Sequence, residues 1–192
     1  MVKTLFYLFV LRPNALFTRM RVRSLLGWAI VLQTFRWFGT ALTTIVTLYY
    51  FQSPMLLPVP FGIDPTSYRL YEIFAYGPYG LLIISAMAHV ICVHGAPYAT
   101  LHPLTFAKCW ELLGFTFFGP WLPSFLIDSF LVALGWGGPQ VIIPWHVSIV
   151  GLEAILTIVG LQAIFGLPMR VAITLGGVTG GMFLVLAGVV IR

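Results

Sequence analysis

The chain has 192 residues, of which 60% are hydrophobic and 8% are charged. Soluble domains carry about 25% charged residues, so this composition excludes an ordinary water-soluble protein and predicts an all-α integral membrane protein. The formal net charge of +5 does not indicate nucleic acid as a partner, because the basic residues lie beside apolar segments and form no solvated basic face.

Residues 1–23 are the first predicted element, an amphipathic segment at the membrane interface. The uncharged run before Arg12 is too short to cross a bilayer. The segment imitates a signal peptide, but Arg12-Pro13-Asn14 stands where a small-residue cleavage site should be. We therefore expect the segment to be retained and to rest on lipid head groups through its arginines, which are Arg12, Arg19, Arg21 and Arg23.

Residues 24–192 predict a single domain of transmembrane helices. A proline-rich connection over 52–71 cannot be one regular helix, and Gly119-Pro120 should kink the third span. The last connection, Gly166-Leu167-Pro168, is so short that the two helices it joins must form an antiparallel hairpin. The apolar blocks predict five spans, at about 24–51, 72–94, 106–134, 141–165 and 170–191.

The basic residues predict the orientation of these spans, because cytoplasmic flanks carry an excess of Lys and Arg. With a cytoplasmic N-terminus, Arg69 and Arg192 fall outside and Arg36 falls within the membrane. The remaining seven of the ten Lys and Arg residues fall inside, namely Lys3, Arg12, Arg19, Arg21, Arg23, Lys108 and Arg170. This split favours a cytoplasmic N-terminus and a C-terminus on the opposite side. Aromatic residues near the predicted outer ends are typical of an interfacial belt, namely Tyr49, Tyr50, Trp121, Trp136 and Trp145.

Ionisable residues within the spans are the first functional candidates. Arg36, Asp128 and Glu153 lie in the first, third and fourth predicted spans, where a lone charge costs about 3 kcal/mol or more to insert. Pairing of these charges with each other, or with a partner chain, would relieve that cost. A structural pair and an ion or proton path are both open. Lys108 and Glu111 lie three residues apart and predict a local ion pair.

No residue pattern indicates an enzyme. Phosphate-binding glycine loops, Ser/His/Asp groupings, zinc spacings and paired carboxylates are not found in the sequence. Four histidines raise the possibility of haem ligation, but their spacing is poor, so we expect no metal, no cofactor and no catalytic residue. These histidines are His89, His94, His102 and His146.

The fifth predicted span contains closely spaced glycines. Gly176 and Gly180, like Gly177 and Gly181, have the small-xxx-small spacing that allows close contact between membrane helices. The glycine face could pack against the fourth span of this chain or against another subunit, and the sequence leaves both alternatives open.

Three stretches of the chain resemble the Yip1 family of five-span membrane proteins. They are 9–17 with Arg12-Pro13-Asn14, 94–108 from His94-Gly95-Ala96 to Lys108, and 160–168 with Gly166-Leu167-Pro168. The resemblance is to bacterial members, so it implies the bacterial inner membrane, a cytoplasmic N-terminus and an opposite C-terminus. Bacterial relatives imply no settled activity.

Three functions are consistent with these patterns. The first is a non-catalytic accessory or stabilising subunit of a larger membrane complex, such as an electron-transfer complex, with the bilayer and other membrane subunits as its partners. The second is a small transporter or channel that uses Arg36, Asp128 and Glu153 along a polar path. The third is lipid binding or membrane shaping by the N-terminal arginines.

Overall fold

The computed structural model describes residues 12–49 and 62–190, and in these ranges the chain is helical without strands. Seven α-helices and one 3₁₀ turn follow one another in this part of the chain. They are α1 (Pro13–Val22), α2 (Leu26–Tyr49), α3 (Pro65–Gly95), the 3₁₀ turn (Ala96–Tyr98), α4 (Phe106–Thr116), α5 (Trp121–Ala133), α6 (Pro139–Phe165) and α7 (Met169–Val190). Several predicted features lie outside the described residues, namely Lys3, Tyr50, Arg192, the first part of the N-terminal segment and the first half of the proline-rich connection.

Four helical segments are long and apolar enough to cross a membrane, which supports an integral membrane protein. They are Gly77–Tyr98, Phe106–Ala133, Pro139–Phe165 and Met169–Leu186. Large apolar side chains such as Leu126, Phe130 and Val185 are exposed on the outer surface of the bundle, as lipid contact requires. α2 lies where the first of five spans was expected and is not among these four segments.

Helix α3 begins before the expected span at 72–94. The Asp64 carboxylate accepts a hydrogen bond of 2.9 Å from the backbone N–H of Ser67, and Pro65 occupies the first turn. An acidic N-cap followed by proline is a strong helix start. The connection over 52–71 was therefore predicted too long, because this local capping signal extends α3 toward the N-terminus.

The expected kink at Gly119-Pro120 is a break between two helices. α4 ends at Thr116 and α5 begins at Trp121. Pro120 has no N–H to donate, whereas the Gly119 N–H still donates to the Phe115 carbonyl at 3.1 Å. The direction of the chain can therefore change between α4 and α5.

Helices α6 and α7 are joined by the expected short turn. Gly166 has a φ of 69°, a left-handed conformation that glycine adopts without steric cost. The backbone N–H groups of Thr100 and Leu101 donate to the Phe165 carbonyl at 2.9 and 3.0 Å. These hydrogen bonds tie the loop that precedes α4 to the end of α6.

Helix α1 packs against α6 through its apolar face. Leu16, Phe17 and Met20 are fully buried, and the Phe17 ring lies close to Gly160 of α6. Protein therefore covers the apolar side of α1. The other main contacts in the bundle join α2 to α4 and α5, α3 to α4 and α7, and α6 to α7.

Candidate functional site

Arg36 is the largest fully buried side chain in the described part of the bundle, with 1% of its surface exposed. Ala29, Gln33 and Arg36 recur at a spacing of four and three residues, which places them on one face of α2. All three are buried, because α2 turns this face toward α4 and α5. The charge is therefore held inside the protein and away from lipid.

Three aromatic rings enclose the Arg36 guanidinium. Its Cζ atom lies 4.2 Å from the ring centroid of Trp121, 5.2 Å from that of Phe118 and 5.6 Å from that of Phe183. A cation over an aromatic face gains about 2 kcal/mol or more when both groups are removed from water. Trp121 is only 6% exposed, so its ring faces the interior of the bundle.

Glu153 enters the same region from α6 and is fully buried. Its carboxylate lies within electrostatic reach of the Arg36 guanidinium and the Trp121 indole. No group in the described residues meets hydrogen-bond geometry with either Glu153 oxygen. A buried carboxylate is costly unless opposite charge or hydrogen bonds compensate it, so attraction to Arg36 is an important source of compensation here.

Thr157 continues the polar face of α6 beside Glu153. Thr157 lies one turn beyond Glu153, and its hydroxyl forms a 2.7 Å hydrogen bond with the hydroxyl of Thr116 on α4. Gly160 follows at the next turn and contacts Leu112. The stripe that begins at Glu153 therefore becomes apolar toward the end of α6.

Asp128 lies in a second polar cluster. Its Oδ1 atom accepts a hydrogen bond of 2.9 Å from Trp145 Nε1. Its Oδ2 atom is 3.2 Å from His146 Nε2 and 3.3 Å from the Ser124 hydroxyl. The structure therefore brings Arg36 and Glu153 together but gives Asp128 a different set of partners.

Trp121 connects the two clusters. Its ring packs edge-on against His146 with a centroid distance of 4.9 Å, and its other neighbour is Arg36. The sequence did not predict this bridge, because Trp121 was interpreted as an aromatic residue near the outer end of its span. The spacing of Ser124 and Asp128, one turn apart on α5, was an available signal for the second cluster.

A third polar cluster anchors the start of α2. Lys108 and Glu111 form the ion pair expected from their spacing, with Nζ 3.0 Å from Oε1. Glu111 also accepts hydrogen bonds from the backbone N–H of Leu25 at 2.9 Å and from the Ser24 hydroxyl at 3.3 Å. Glu111 therefore caps α2 from a neighbouring helix.

The four glycines predicted to form one packing face lie on two different faces of α7. Gly176 and Gly180 pack against α6, where a Cβ on Gly176 would overlap Ile158 and one on Gly180 would lie 3.2 Å from the Ala154 Cβ. Gly177 and Gly181 have open space in front of them within the described residues. The contact with the fourth span is therefore made by one pair of these glycines, Gly176 and Gly180.

The N-terminal arginines lie at the edge of the bundle. Arg12, Arg19 and Arg23 are exposed and Arg21 is partly exposed. Arg21 and Arg23 line a cavity next to Lys108, and Arg12 and Arg19 do not. The four residues therefore do not share one environment.

Comparison with protein-family models, curated protein sequences and solved structures finds no significant match to this chain. Within the described residues, no group of three or more His, Cys, Asp or Glu side chains could hold a metal ion.

Proposed function

We propose that the chain is a non-enzymatic accessory or stabilising subunit of a larger membrane complex, such as an electron-transfer complex. The proposal includes a five-span, Yip1-like arrangement in the bacterial inner membrane, with α2 as the first span and α1 at the membrane surface. It also includes a cytoplasmic N-terminus and a C-terminus on the opposite side. The positions of the basic residues support this orientation.

The outward face of α7 carries this proposal. Ile173, Gly177, Gly181 and Val185 recur every four residues and are all exposed. The two central positions have no side chain, so we infer a shallow groove between Ile173 and Val185. Small residues at this spacing let another helix approach closely in a membrane, where van der Waals packing drives association. The groove therefore suits a transmembrane helix of a partner subunit.

Filling the groove tests the accessory role. We expect a Gly177→Leu/Gly181→Leu double variant to lose a partner subunit that co-purifies with the native chain in mild detergent. The variant should fold normally, because both added side chains enter open space. The measurement is identification of co-purifying chains after affinity isolation from the native membrane.

Gly27→Leu is the matched control, since Gly27 also has open space before it but lies on α2. It should retain the partner. Isolation of the native chain as a lone monomer, or equal partner recovery from all variants, would contradict the accessory role.

The buried charges favour a second candidate, a small transporter or channel. Arg36 and Glu153 lie within electrostatic range of each other inside the bundle. Trp121 contacts both Arg36 and His146, and His146 pairs with Asp128. Ionisable groups at membrane depth often mark ion or proton paths. The break between α4 and α5 lies beside this region, as in transporters whose sites are formed by discontinuous helices.

Transport through this region requires the Glu153 carboxylate. In proteoliposomes that show proton flux, Glu153→Gln should reduce the rate by about tenfold or more, because the amide cannot exchange a proton. Asp64→Asn, at an exposed helix cap, is the control and should keep the native rate. The measurement is decay of a pH-sensitive dye signal, and native flux in a folded Glu153→Gln protein would rule out this path.

A further inference from the structure

A basic cavity lies where α1, α2 and α4 meet. It has a volume of about 260 Å³, and the charged side chains that line it are Arg21, Arg23, Lys108 and Glu111. Lys108 and Glu111 form an ion pair, so their charges largely offset each other. Two arginines remain, and the cavity therefore favours an anion.

An apolar groove adjoins this basic cavity. It has a volume of about 450 Å³, runs between α2 and α4, and includes Ile30, Trp37, Leu81 and Trp110 in its lining. Leu26 and Ala107 line both the groove and the basic cavity. The basic cavity and the apolar groove are therefore continuous. A phospholipid has the same arrangement, with a charged head group next to its acyl chains.

We propose that this joint site binds an anionic phospholipid, with the phosphate in the basic cavity and one acyl chain in the groove. Arg21 and Arg23 can each donate paired hydrogen bonds to phosphate oxygens. Basic cavities between membrane helices at the cytoplasmic side are a recurrent form of head-group site. A free phosphate ion would leave the groove unfilled, so the site is matched to the whole lipid.

The four N-terminal arginines separate a defined site from general attraction to a charged membrane. Arg12 and Arg19 lie on or next to α1 but do not line the cavity, whereas Arg21 and Arg23 do. Removing either pair lowers the net charge by the same amount. If the lipid binds at a defined site, only the loss of Arg21 and Arg23 should weaken binding.

The test measures lipid binding to the purified full-length chain in detergent. Dioleoyl phosphatidylglycerol is titrated and binding is followed by native mass spectrometry and by the rise in Tm. Dioleoyl phosphatidylcholine and inorganic phosphate are titrated in parallel. We expect phosphatidylglycerol to bind and raise Tm, and the other two probes to have much smaller effects.

Charge variants then locate the head group. Arg21→Gln/Arg23→Gln should bind phosphatidylglycerol roughly thirtyfold more weakly. Arg12→Gln/Arg19→Gln should bind it with native affinity. Equal weakening by both pairs would replace the proposal with diffuse surface attraction, and native binding by both would exclude the cavity.

A filled groove locates the acyl chain. Ala107 is exposed where the cavity and groove meet, so Ala107→Trp should weaken phosphatidylglycerol binding by about tenfold or more, because the indole occupies the path of the chain. Ala133→Trp, at an exposed alanine of α5, should bind normally. If inorganic phosphate raises Tm as much as the lipid does, the site is an anion site only and the proposal is wrong.

Discussion

Arg36 is stable inside an apolar bundle because its charge is compensated on several sides. Three aromatic rings lie within 6 Å of the guanidinium by their centroids, and the Glu153 carboxylate attracts it from α6. Removing one member of a buried charge pair typically costs about 3–5 kcal/mol, because the other charge remains buried. Arg36 and Glu153 should therefore contribute to stability as a unit.

A double-mutant cycle tests this coupling. Arg36→Met should lower the free energy of unfolding by about 3–5 kcal/mol in the native chain. The loss should be smaller by about 0.5–3 kcal/mol in a Glu153→Gln background, because the effects of substituting two interacting charges on the free energy of unfolding are not additive. Unfolding in mixed detergent micelles, followed by tryptophan fluorescence, provides the measurement.

Asp64→Asn is the control background for this cycle, because Asp64 is exposed at the start of α3. It should leave the effect of Arg36→Met unchanged. Additive effects in the Glu153→Gln background would show that the two charges do not interact.

The sequence identifies Arg36, Asp128 and Glu153 as candidates, because any charge within an apolar block is unusual. It offers pairing among these charges as one alternative, but it does not predict the partners of Asp128. Asp128 is bound by Trp145 and His146, which belong to a different helix. Such contacts depend on helix rotation and depth, and single residues in an apolar sequence do not specify either.

At the scale of the element, α7 carries glycines on two different faces, and one of these faces packs against α6. Gly176 and Gly180 allow α6 to approach closely, while Gly177 and Gly181 lie on the open side. Adjacent residues on a helix differ by about 100° in direction, so neighbouring glycines belong to different faces. The sequence predicted the small-residue pattern, but the glycines alone could not say which pair faces α6.

Alanine substitutions distinguish the two faces. Gly176→Ala should destabilise the chain by about 1–3 kcal/mol, because its Cβ would overlap Ile158 and approach the Ala154 carbonyl. Gly177→Ala should be neutral or raise stability by up to about 1 kcal/mol, since alanine has the higher helix propensity. The midpoint of unfolding in mixed micelles measures both, and equal destabilisation by the two changes would contradict the assignment of faces.

The helix boundaries were predicted best where local chemistry defines them. Pro120 lies in the break between α4 and α5, and Gly166 ends α6 in a left-handed conformation. The start of α3 was missed because Asp64 and Pro65 lie in a proline-rich stretch that reads as a loop. Proline interrupts a helix when it lies in the interior, but it is favoured in the first turn.

At the scale of the whole molecule, Arg36 and Glu153 are buried, whereas many large apolar side chains of the described residues are exposed. Exposed Leu126, Phe130 and Val185 contrast with buried Arg36 and Glu153, an arrangement suited to hydrocarbon surroundings. Composition alone predicts this membrane class. The number of crossings is a finer matter, because four segments meet the length and composition expected of a span and α2 is the fifth in the proposal.

End-specific reporters test the number of crossings. In the proposed arrangement, a tag at the N-terminus should be accessible from the cytoplasm and a tag at the C-terminus from the opposite side. An odd number of spans requires this result. Protease protection in right-side-out and inverted vesicles measures it, and two tags on the same side would contradict the five-span proposal.

The positions of Arg36 on α2 and Glu153 on α6 also bear on how the chain is inserted into the membrane. The ribosome completes α2 long before it synthesises α6, so in the proposed five-span arrangement the arginine reaches the bilayer before its acidic neighbour exists. A lone arginine enters hydrocarbon at a considerable energetic cost. We therefore expect α2 to leave the membrane-insertion machinery only after the later helices have been made. Until then, the insertion machinery should keep Arg36 out of contact with lipid.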